Sequence, residues 1–255
     1  MKLTVCSLNI HYIDTQTPGP VVLLLHGWAA PVETYRRIID LLARKYRVVA
    51  FDMPGVGGSD EPANPMTVDD YAALTLAFCE KLGLPSELIL VCHSHGGRVA
   101  LRLMGDAQSP LGVQKAVFID TSGVVPKRSV SFKVKLRTYK AVKALALSKP
   151  FAPVFRGLYE RMRDKRSSAD YKAASEVMRK TMSIVLNTDM TPFMPRVTAP
   201  VLLIWGEHDT ATPLSDGVLM EKLIPNAGLA IIKNAGHYPF LDNPVQFDAV
   251  LNAFL

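Results

Sequence analysis

The chain is poor in cysteine and has no long hydrophobic run. Its three cysteines, Cys6, Cys79 and Cys92, are too few and too widely spaced for a disulfide framework or a C-x-x-C metal pair. No run of about 18 apolar residues predicts a membrane-spanning helix. The first ten residues alternate like a strand and lack the apolar centre and cleavage site of a signal peptide. We therefore expect a protein of the reducing cytoplasm, with no metal and no cofactor.

The positive charge of the chain is concentrated in one segment. The 255 residues are 49% hydrophobic, which is enough for one large core, and the net charge is +6. Residues 124–190 contain 16 Lys/Arg and 5 Asp/Glu, a net charge of +11, so the remainder carries −5. This basic segment is either a solvated helical face, a surface that attracts an anionic substrate or an acidic carrier protein, or a contact with an anionic membrane surface. Nucleic-acid binding is not expected, because no recognition module is present. The oligomeric state stays open.

Short apolar runs alternate with helical patterns along most of the chain. The first two strand-like runs, residues 3–7 and 9–13, could pair as a hairpin. The later predicted strands cover residues 21–25, 47–51, 88–91, 115–120, 201–205 and 229–232. Helical patterns cover residues 33–43, 67–82, 98–104 and 244–254. Continuous apolar strands that alternate with helices predict an α/β fold, with a mostly parallel central sheet and flanking helices.

The basic segment interrupts this alternation with helical patterns alone. We expect residues 1–123 and 191–255 to form the core and residues 124–190 to form an inserted helical cap. A cap over the site sets substrate choice, and its apolar side chains either line an acyl pocket or pack within the cap. The candidates for the pocket are Phe132, Leu136, Met162 and Met182.

Residues 92–97, CHSHGG, stand between a predicted buried strand and a predicted helix. A tight turn there places Ser94 at the apex, in front of a helix N-terminus that favours developing negative charge. The segment resembles the nucleophile elbow of the α/β-hydrolase superfamily, which usually reads G-x-S-x-G. Cys92 stands in place of the first glycine, where the elbow needs a small residue.

Four further segments strengthen this resemblance, and each follows a predicted strand. They are His26-Gly27-Trp28, the loop of residues 52–60, residues 205–209 (WGEHD) and residues 234–239 (NAGHYP). The order Ser94, Asp209, His237 is the order of the α/β-hydrolase catalytic triad. The resemblance implies that Ser94 is the nucleophile, that His237 is the general base and that Asp209 is the acid that orients it. Glu207 and Asp120 are the rival acids.

The resemblance also implies where the oxyanion donors lie. They are the backbone N–H groups of Trp28 and of His95, the residue that follows the serine. His26, Gly27 and Tyr238 are expected near the pocket, and His26 is expected to order its loop. His95, at a helix N-terminus where the dipole disfavours imidazolium, either contacts substrate as a neutral ring or is an ordinary polar helix start.

The identity of the nucleophile limits the reaction. Haloalkane dehalogenases and epoxide hydrolases of this fold use aspartate where Ser94 stands, so serine points to acyl transfer to water. We predict a carboxylesterase that acts on a small-molecule ester through an acyl-enzyme. A carbon–carbon bond hydrolase, a perhydrolase-like enzyme and a non-catalytic ligand receptor remain as alternatives.

Overall fold

The computed structural model describes residues 1–125, 130–166 and 169–255, with side chains at all of these except 130–136, 163–166 and 169–170. Eight strands of the described residues form one sheet. They are β1 Lys2–Val5, β2 Leu8–Asp14, β3 Val21–Leu25, β4 Arg47–Phe51, β5 Glu87–His93, β6 Gly112–Ile119, β7 Val201–Gly206 and β8 Ala227–Ile232. Their order is β1-β2-β4-β3-β5-β6-β7-β8. The pairs β1–β2 and β2–β4 are antiparallel and the other pairs are parallel, so the predicted α/β class is confirmed.

The described residues form ten α-helices, of which six pack on the two faces of this sheet and four belong to the segment between β6 and β7. They are α1 Arg36–Leu42, α2 Val68–Lys81, α3 His95–Met104, α4 Val130–Leu147, α5 Ala152–Arg166, α6 Ala169–Ala173, α7 Glu176–Asn187, α8 Leu214–Leu223, α9 Pro239–Asp242 and α10 Pro244–Phe254. The predicted helix 33–43 is instead a 3₁₀ turn, Val32–Tyr35, followed by α1. The turn is tight because the Val32 N–H donates to Asp52 Oδ1 and the Tyr35 ring is fully buried.

The central strands are buried on both faces, which explains their continuous apolar sequences. In β3, Leu23 and Leu25 pack into one hydrophobic cluster, whereas Val22 and Leu24 pack into the cluster on the other side of the sheet. Alternation of side chains along a strand produces this division. Each such buried side chain stabilises the fold by about 1.5–3 kcal/mol relative to an exposed one.

The helices α4 to α7 are inserted between β6 and β7, within the segment predicted as a cap. Helix α7 rests on the core, because its Thr181 Oγ1 accepts a hydrogen bond from the Met66 N–H at 3.0 Å and its Met178 and Val185 are buried. Helices α4 and α5 pack together, with the rings of Tyr139 and Tyr159 5.8 Å apart. Across the described part of the chain, every helix is too short or too polar to cross a bilayer.

Candidate active site

Ser94 occupies the turn between β5 and α3 in a conformation that is rare for a side-chain-bearing residue. Its φ is 48° and its ψ is −110°. The turn is fixed by backbone hydrogen bonds: the Ser94 N–H donates to Ile119 O, and Ser94 O accepts from the N–H groups of Gly97 and Ser122. Surrounding bonds of this kind are what keeps a strained residue in place. The sequence therefore places the hydroxyl at the apex of a rigid strand–turn–helix unit.

Gly96 allows helix α3 to approach the end of β3. A Cβ at this position would lie 2.1 Å from Leu25 O, a distance that no side chain can adopt. Cys92, which stands where the elbow usually has glycine, is fully buried in β5 and pairs in regular register with Leu25. The closest backbone approach of this elbow is thus at Gly96, two residues after the serine.

His237 and Asp209 follow β8 and β7 and form a hydrogen-bonded pair. His237 Nδ1 lies 2.8 Å from Asp209 Oδ2, and the Asp209 carboxylate is fully buried. The Thr212 hydroxyl donates to Asp209 Oδ2 at 2.6 Å, while the N–H groups of Ala211 and Thr212 donate to Oδ1. Burial alone would raise the pKa of Asp209, but the hydrogen bonds from His237 and Thr212 outweigh it and lower the pKa to about 2. An ionised Asp209 fixes the proton of His237 on Nδ1 and leaves Nε2 as a proton acceptor.

The two rival acids are placed differently. Glu207 is exposed, and its Oε2 accepts the N–H of Asn234. Asp120 is fully buried beside the pair. One carboxylate oxygen of Asp120, one of Asp209 and a ring nitrogen of His237 lie within 4.8 Å of one another. The pKa of Asp120 is raised to about 9, mainly by burial. The negative charge of Asp209 also raises this pKa, whereas the hydrogen bond from the Gly206 N–H lowers it. Asp120 is therefore a neutral acid at neutral pH.

Tyr35 and His93 form a hydrogen-bonded chain between two loops of the site. The Gly27 N–H donates to the Tyr35 hydroxyl at 2.8 Å, the hydroxyl lies 2.7 Å from His93 Nδ1, and His93 Nε2 lies 2.7 Å from His237 O. A carbonyl oxygen only accepts, so Nε2 carries the proton and Tyr35 donates to Nδ1. Burial lowers the pKa of His93 to about 3, which keeps this tautomer neutral.

The two expected oxyanion donors lie at the same cavity. Within the described residues the Trp28 N–H has no hydrogen-bond partner. His95 is the first residue of α3, where helix N–H groups have no intrahelical acceptor. The His95 ring is buried against the rings of Trp28 and Tyr71, and burial lowers its pKa to about 3. Neither of its ring nitrogens has a hydrogen-bond partner in the described part of the chain.

These groups surround a cavity of about 350 Å³. The lining residues from the core are Gly27, Trp28, His93, Ser94, His95, Arg98, Ser122, Val124, Ala211, Thr212, Pro213, Asp216, His237 and Tyr238, and helix α7 adds Met182, Val185 and Leu186. Ser94 and His237 both line this cavity, although no hydrogen bond joins their side chains among the described residues. Such catalytic hydrogen bonds often tighten only when substrate is bound.

Several residues expected at the pocket lie elsewhere. His26 does not line the cavity: it is fully buried behind the loop, where its Nε2 accepts the Met53 N–H and its Nδ1 donates to Gly27 O. Met162, on α5, is also outside the lining, because the roof of the cavity comes from α7. Phe132 and Leu136 lie outside the described side chains.

Four residues that the sequence patterns did not single out contribute to the site. They are Tyr35, Arg98, Thr212 and Asp216. Two have a signal in the sequence: Arg98 follows Ser94 by one helical turn, and Thr212 follows Asp209 by three residues. Tyr35 and Asp216 reach the site only through tertiary packing, and no local pattern marks them.

The strained serine, the buried His–Asp pair and the free backbone donors define a hydrolase-type site on an α/β sheet. The sequence profile of the alpha/beta hydrolase fold matches residues 20–244. The chain belongs to this family, as its motifs indicate.

Relatives and solved structures agree with this assignment. Pimeloyl-[acyl-carrier protein] methyl ester esterase from Nitrosomonas europaea is 25% identical over 96% of this chain and 99% of its own length. A bacterial membrane phospholipase A superimposes with a TM-score of 0.75 at 26% identity, covering 100% of this chain and 84% of that one. Bromoperoxidase from Bacillus anthracis has a TM-score of 0.77 at 22% identity and covers 99% of its own chain, a likeness of fold.

Proposed function

We propose that this protein hydrolyses carboxylic esters through an acyl-enzyme on Ser94. The observation that carries the proposal is the buried pair of His237 and Asp209, 2.8 Å apart, at the cavity that Ser94 also lines. The methyl ester esterase among the relatives supports ester hydrolysis. We also propose that residues 1–123 and 191–255 act as the catalytic core and residues 124–190 as its cap, since α7 closes the cavity.

In the proposed mechanism, His237 Nε2 takes the proton of the Ser94 hydroxyl as Oγ attacks the ester carbonyl carbon. The carbonyl oxygen becomes an oxyanion, and the N–H groups of Trp28 and His95 stabilise it by about 3–4 kcal/mol each. The tetrahedral intermediate expels the alcohol, which takes the proton from His237. Water then loses a proton to His237 as it attacks the acyl-enzyme, and the second tetrahedral intermediate collapses to release the acid while Ser94 Oγ takes the proton back from His237. Asp209 stabilises the imidazolium that forms in both halves.

A carrier-linked ester is a second candidate substrate, and a specific feature favours it. Basic side chains of the inserted segment are exposed, and an acyl-carrier protein is the named partner of one relative's substrate. The described members of this basic surface are Arg137, Lys140, Lys143, Lys149, Arg156, Arg161, Lys172, Arg179 and Lys180. Two of them, Arg156 and Lys180, pair with acids of their own helices, and such exposed pairs contribute little.

The test combines covalent labelling with hydrolysis of p-nitrophenyl esters of graded chain length. A fluorophosphonate probe is expected to label the wild-type protein and Ser109→Ala, which removes a half-buried serine outside the cavity, but not Ser94→Ala. Ester hydrolysis is expected to follow the same pattern. An unlabelled wild-type protein would favour the non-catalytic receptor. Labelling without ester hydrolysis, but with cleavage of a vinylogous diketone or with peracid formation, would favour the carbon–carbon hydrolase or the perhydrolase.

A further inference from the structure

Arg98 is a buried cation that lines the cavity and has no anionic partner among the described residues. It lies on α3 one helical turn after Ser94, and 3% of its surface is exposed. Its Nε donates to Ser122 Oγ at 2.9 Å and its Nη1 donates to Thr188 O at 2.6 Å, and both acceptors are uncharged. Among the described residues no carboxylate lies within 4.0 Å of the guanidinium, and Nη2 has no protein acceptor.

An arrangement of this kind is uncommon for an arginine. Buried charges are normally paired, because removal of a guanidinium from water without a counter-ion is costly. Burial lowers the pKa of Arg98 to about 10 and the charges of Asp189 and Asp216 oppose this, so the group remains charged at neutral pH. Two hydrogen bonds hold the side chain, while Nη2 has no acceptor among the described residues and is not fully inaccessible, and the residue lines the cavity.

The acids near Arg98 leave this nitrogen available. Asp189 is exposed, and its carboxylate accepts the N–H and hydroxyl of Thr191. Asp216 lines the cavity at the start of α8, beyond ion-pairing distance of Arg98. Burial raises the pKa of Asp216 and the charge of Arg98 opposes the rise. Arg98 is the only lysine or arginine among the described residues that line the cavity.

We propose that Arg98 Nη2 is an anion subsite that binds a carboxylate carried by the ester substrate. The inference rests on the proposed ester hydrolysis and names its substrate class: half-esters of dicarboxylic acids, or esters whose alcohol carries a carboxylate. Arg98 is four positions after Ser94 along the helix, a rise of about 6 Å, so a short chain would link the reacting carbonyl to the bound carboxylate. Guanidinium binds carboxylate through charge-assisted hydrogen bonds, which are stronger than neutral ones.

The first test compares two substrate series on three proteins. The series are monomethyl esters of dicarboxylic acids from succinate to suberate, and methyl esters of monocarboxylic acids of equal chain length. In the wild type, kcat/KM is expected to favour the anionic ester by at least about tenfold at the chain length that spans the two groups. In Arg98→Gln this anionic-to-neutral ratio is expected to fall by about tenfold to a hundredfold, and Arg98→Lys is expected to restore part of it.

Arg102→Gln is the matched control. Arg102 lies one turn further along α3 and pairs with Asp69 and Asp106 at the surface, so its loss removes the same charge from the same helix outside the cavity. The anionic-to-neutral ratio of kcat/KM in Arg102→Gln is expected to equal that of the wild type. Equal ratios in the wild type and in Arg98→Gln would overturn the subsite. A second anionic series, acetate esters of ω-hydroxy acids, shows whether the carboxylate binds from the alcohol side.

The second test needs no change at Arg98. Hexanoate is expected to inhibit hydrolysis of p-nitrophenyl acetate by the wild type competitively and at least about tenfold more strongly than hexanamide. The Ser94→Ala protein is expected to bind hexanoate, but not hexanamide, in a calorimetric titration. Equal affinity for the acid and the amide contradicts the anion subsite even where fluorophosphonate labels Ser94. Absence of labelling with selective binding of hexanoate instead contradicts ester hydrolysis and retains the subsite.

Discussion

Asp209 and Asp120 show how neighbouring residues set the charge of a carboxyl group. Both are buried beside His237, yet the pKa of Asp209 falls to about 2 and that of Asp120 rises to about 9. Asp209 accepts hydrogen bonds from a histidine, a hydroxyl and two backbone N–H groups. Asp120 accepts one, from Gly206, and its Oδ2 has no donor within the described residues. Hydrogen-bond donors stabilise the ionised form of a carboxyl group, so Asp209, which has more donors than Asp120, carries the charge.

This difference predicts that the two acids respond unequally to loss of charge. Asp209→Asn is expected to lower kcat about a thousandfold to ten-thousandfold, because an amide donor holds His237 in the wrong tautomer. Asp120→Asn is expected to lower kcat by less than about tenfold, because an amide resembles the neutral acid already there. Steady-state kinetics on p-nitrophenyl acetate measures both. The reverse ranking would assign the catalytic acid to Asp120.

Asp120 also predicts a pH dependence of stability. In the unfolded chain it loses its proton at about pH 4, but in the folded protein only at about pH 9. The stabilisation that its raised pKa provides is therefore complete below about pH 4 and is lost as the pH rises to about 9. Asparagine does not titrate, so the Tm of Asp120→Asn relative to wild type is expected to increase steadily across this window. The stabilisation that the lowered pKa of Asp209 provides is constant above about pH 4 and is lost only below it, so Asp209 adds no pH dependence within this window.

A Tm difference that is constant across the window would show that Asp120 is ionised in the folded protein. Thermal unfolding followed by circular dichroism between about pH 5 and about pH 9 distinguishes the two cases.

At the level of single residues, the sequence could predict where a side chain lies, though not its role, wherever a motif fixes the backbone. Ser94, Asp209 and His237 each follow a predicted strand, and the carboxyl ends of parallel strands meet at one edge of the sheet. Arg98 was not found, because an arginine in a helix is ordinarily exposed and only packing against Ser122 and Thr188 buries it. His26 was placed at the pocket for its position in a motif, whereas its hydrogen bond from Met53 holds it behind the loop.

At the level of secondary-structure elements, the Tyr35–His93 chain connects the loops after β3 and β8. Its ends are Gly27, which precedes the proposed oxyanion donor Trp28, and the backbone of His237. Every member is buried or nearly so, so each lost hydrogen bond leaves a polar group without water. These hydrogen bonds therefore hold the Gly27–Trp28 loop and His237, the proposed base, in a fixed relation across β5.

Removal of the Tyr35 hydroxyl tests this coupling. Tyr35→Phe leaves the Gly27 N–H and His93 Nδ1 without partners, which is expected to destabilise the fold by about 1–3 kcal/mol. We expect kcat to fall about tenfold with KM within about twofold, because the loop misplaces a donor that acts in the transition state. Tyr46→Phe, which removes a hydroxyl bonded to Leu255 O far from the site, is the matched control. Similar kcat in both variants would show that the hydrogen bonds of Tyr35 and His93 have a purely structural role.

Some strands and helices have the bounds that the sequence predicts, and the C-terminal helix Pro244–Phe254 is one of them. Residues 21–25 and 47–51 have the predicted bounds, because a strand buried on both faces is a continuous apolar run. The start of α1 was misplaced, since the Val32–Tyr35 turn is set by Asp52 and by burial of Tyr35. Distant contacts of this kind leave no periodic signal in the local sequence.

At the scale of the whole molecule, charge is divided between the core and the inserted segment. The segment carries +11 and the remainder carries −5, and α7 of the segment closes the cavity. A basic surface around the entrance of an active site raises the local concentration of anions and speeds their association. The two proposals therefore call on different anions: Arg98 would bind a carboxylate of a small substrate inside the cavity, whereas the exposed basic side chains would attract an acidic carrier protein from solution.

Salt distinguishes the carrier-linked substrate from a small neutral ester. For a methyl ester of a dicarboxylic acid loaded on an acyl-carrier protein, kcat/KM is expected to fall at least about tenfold between about 0.03 M and about 0.3 M salt, since screening shortens the reach of surface charges. For p-nitrophenyl acetate it is expected to stay within about twofold. Lys143→Glu on α4 is expected to weaken the salt dependence, whereas Lys45→Glu, exposed after α1, is expected to preserve it. Salt screens the attraction between the basic surface and a charged partner, so an attracted carrier must show the larger salt dependence. Equal salt dependence for both substrates would show that the basic surface is only a solvated face, and the small ester would remain as the substrate.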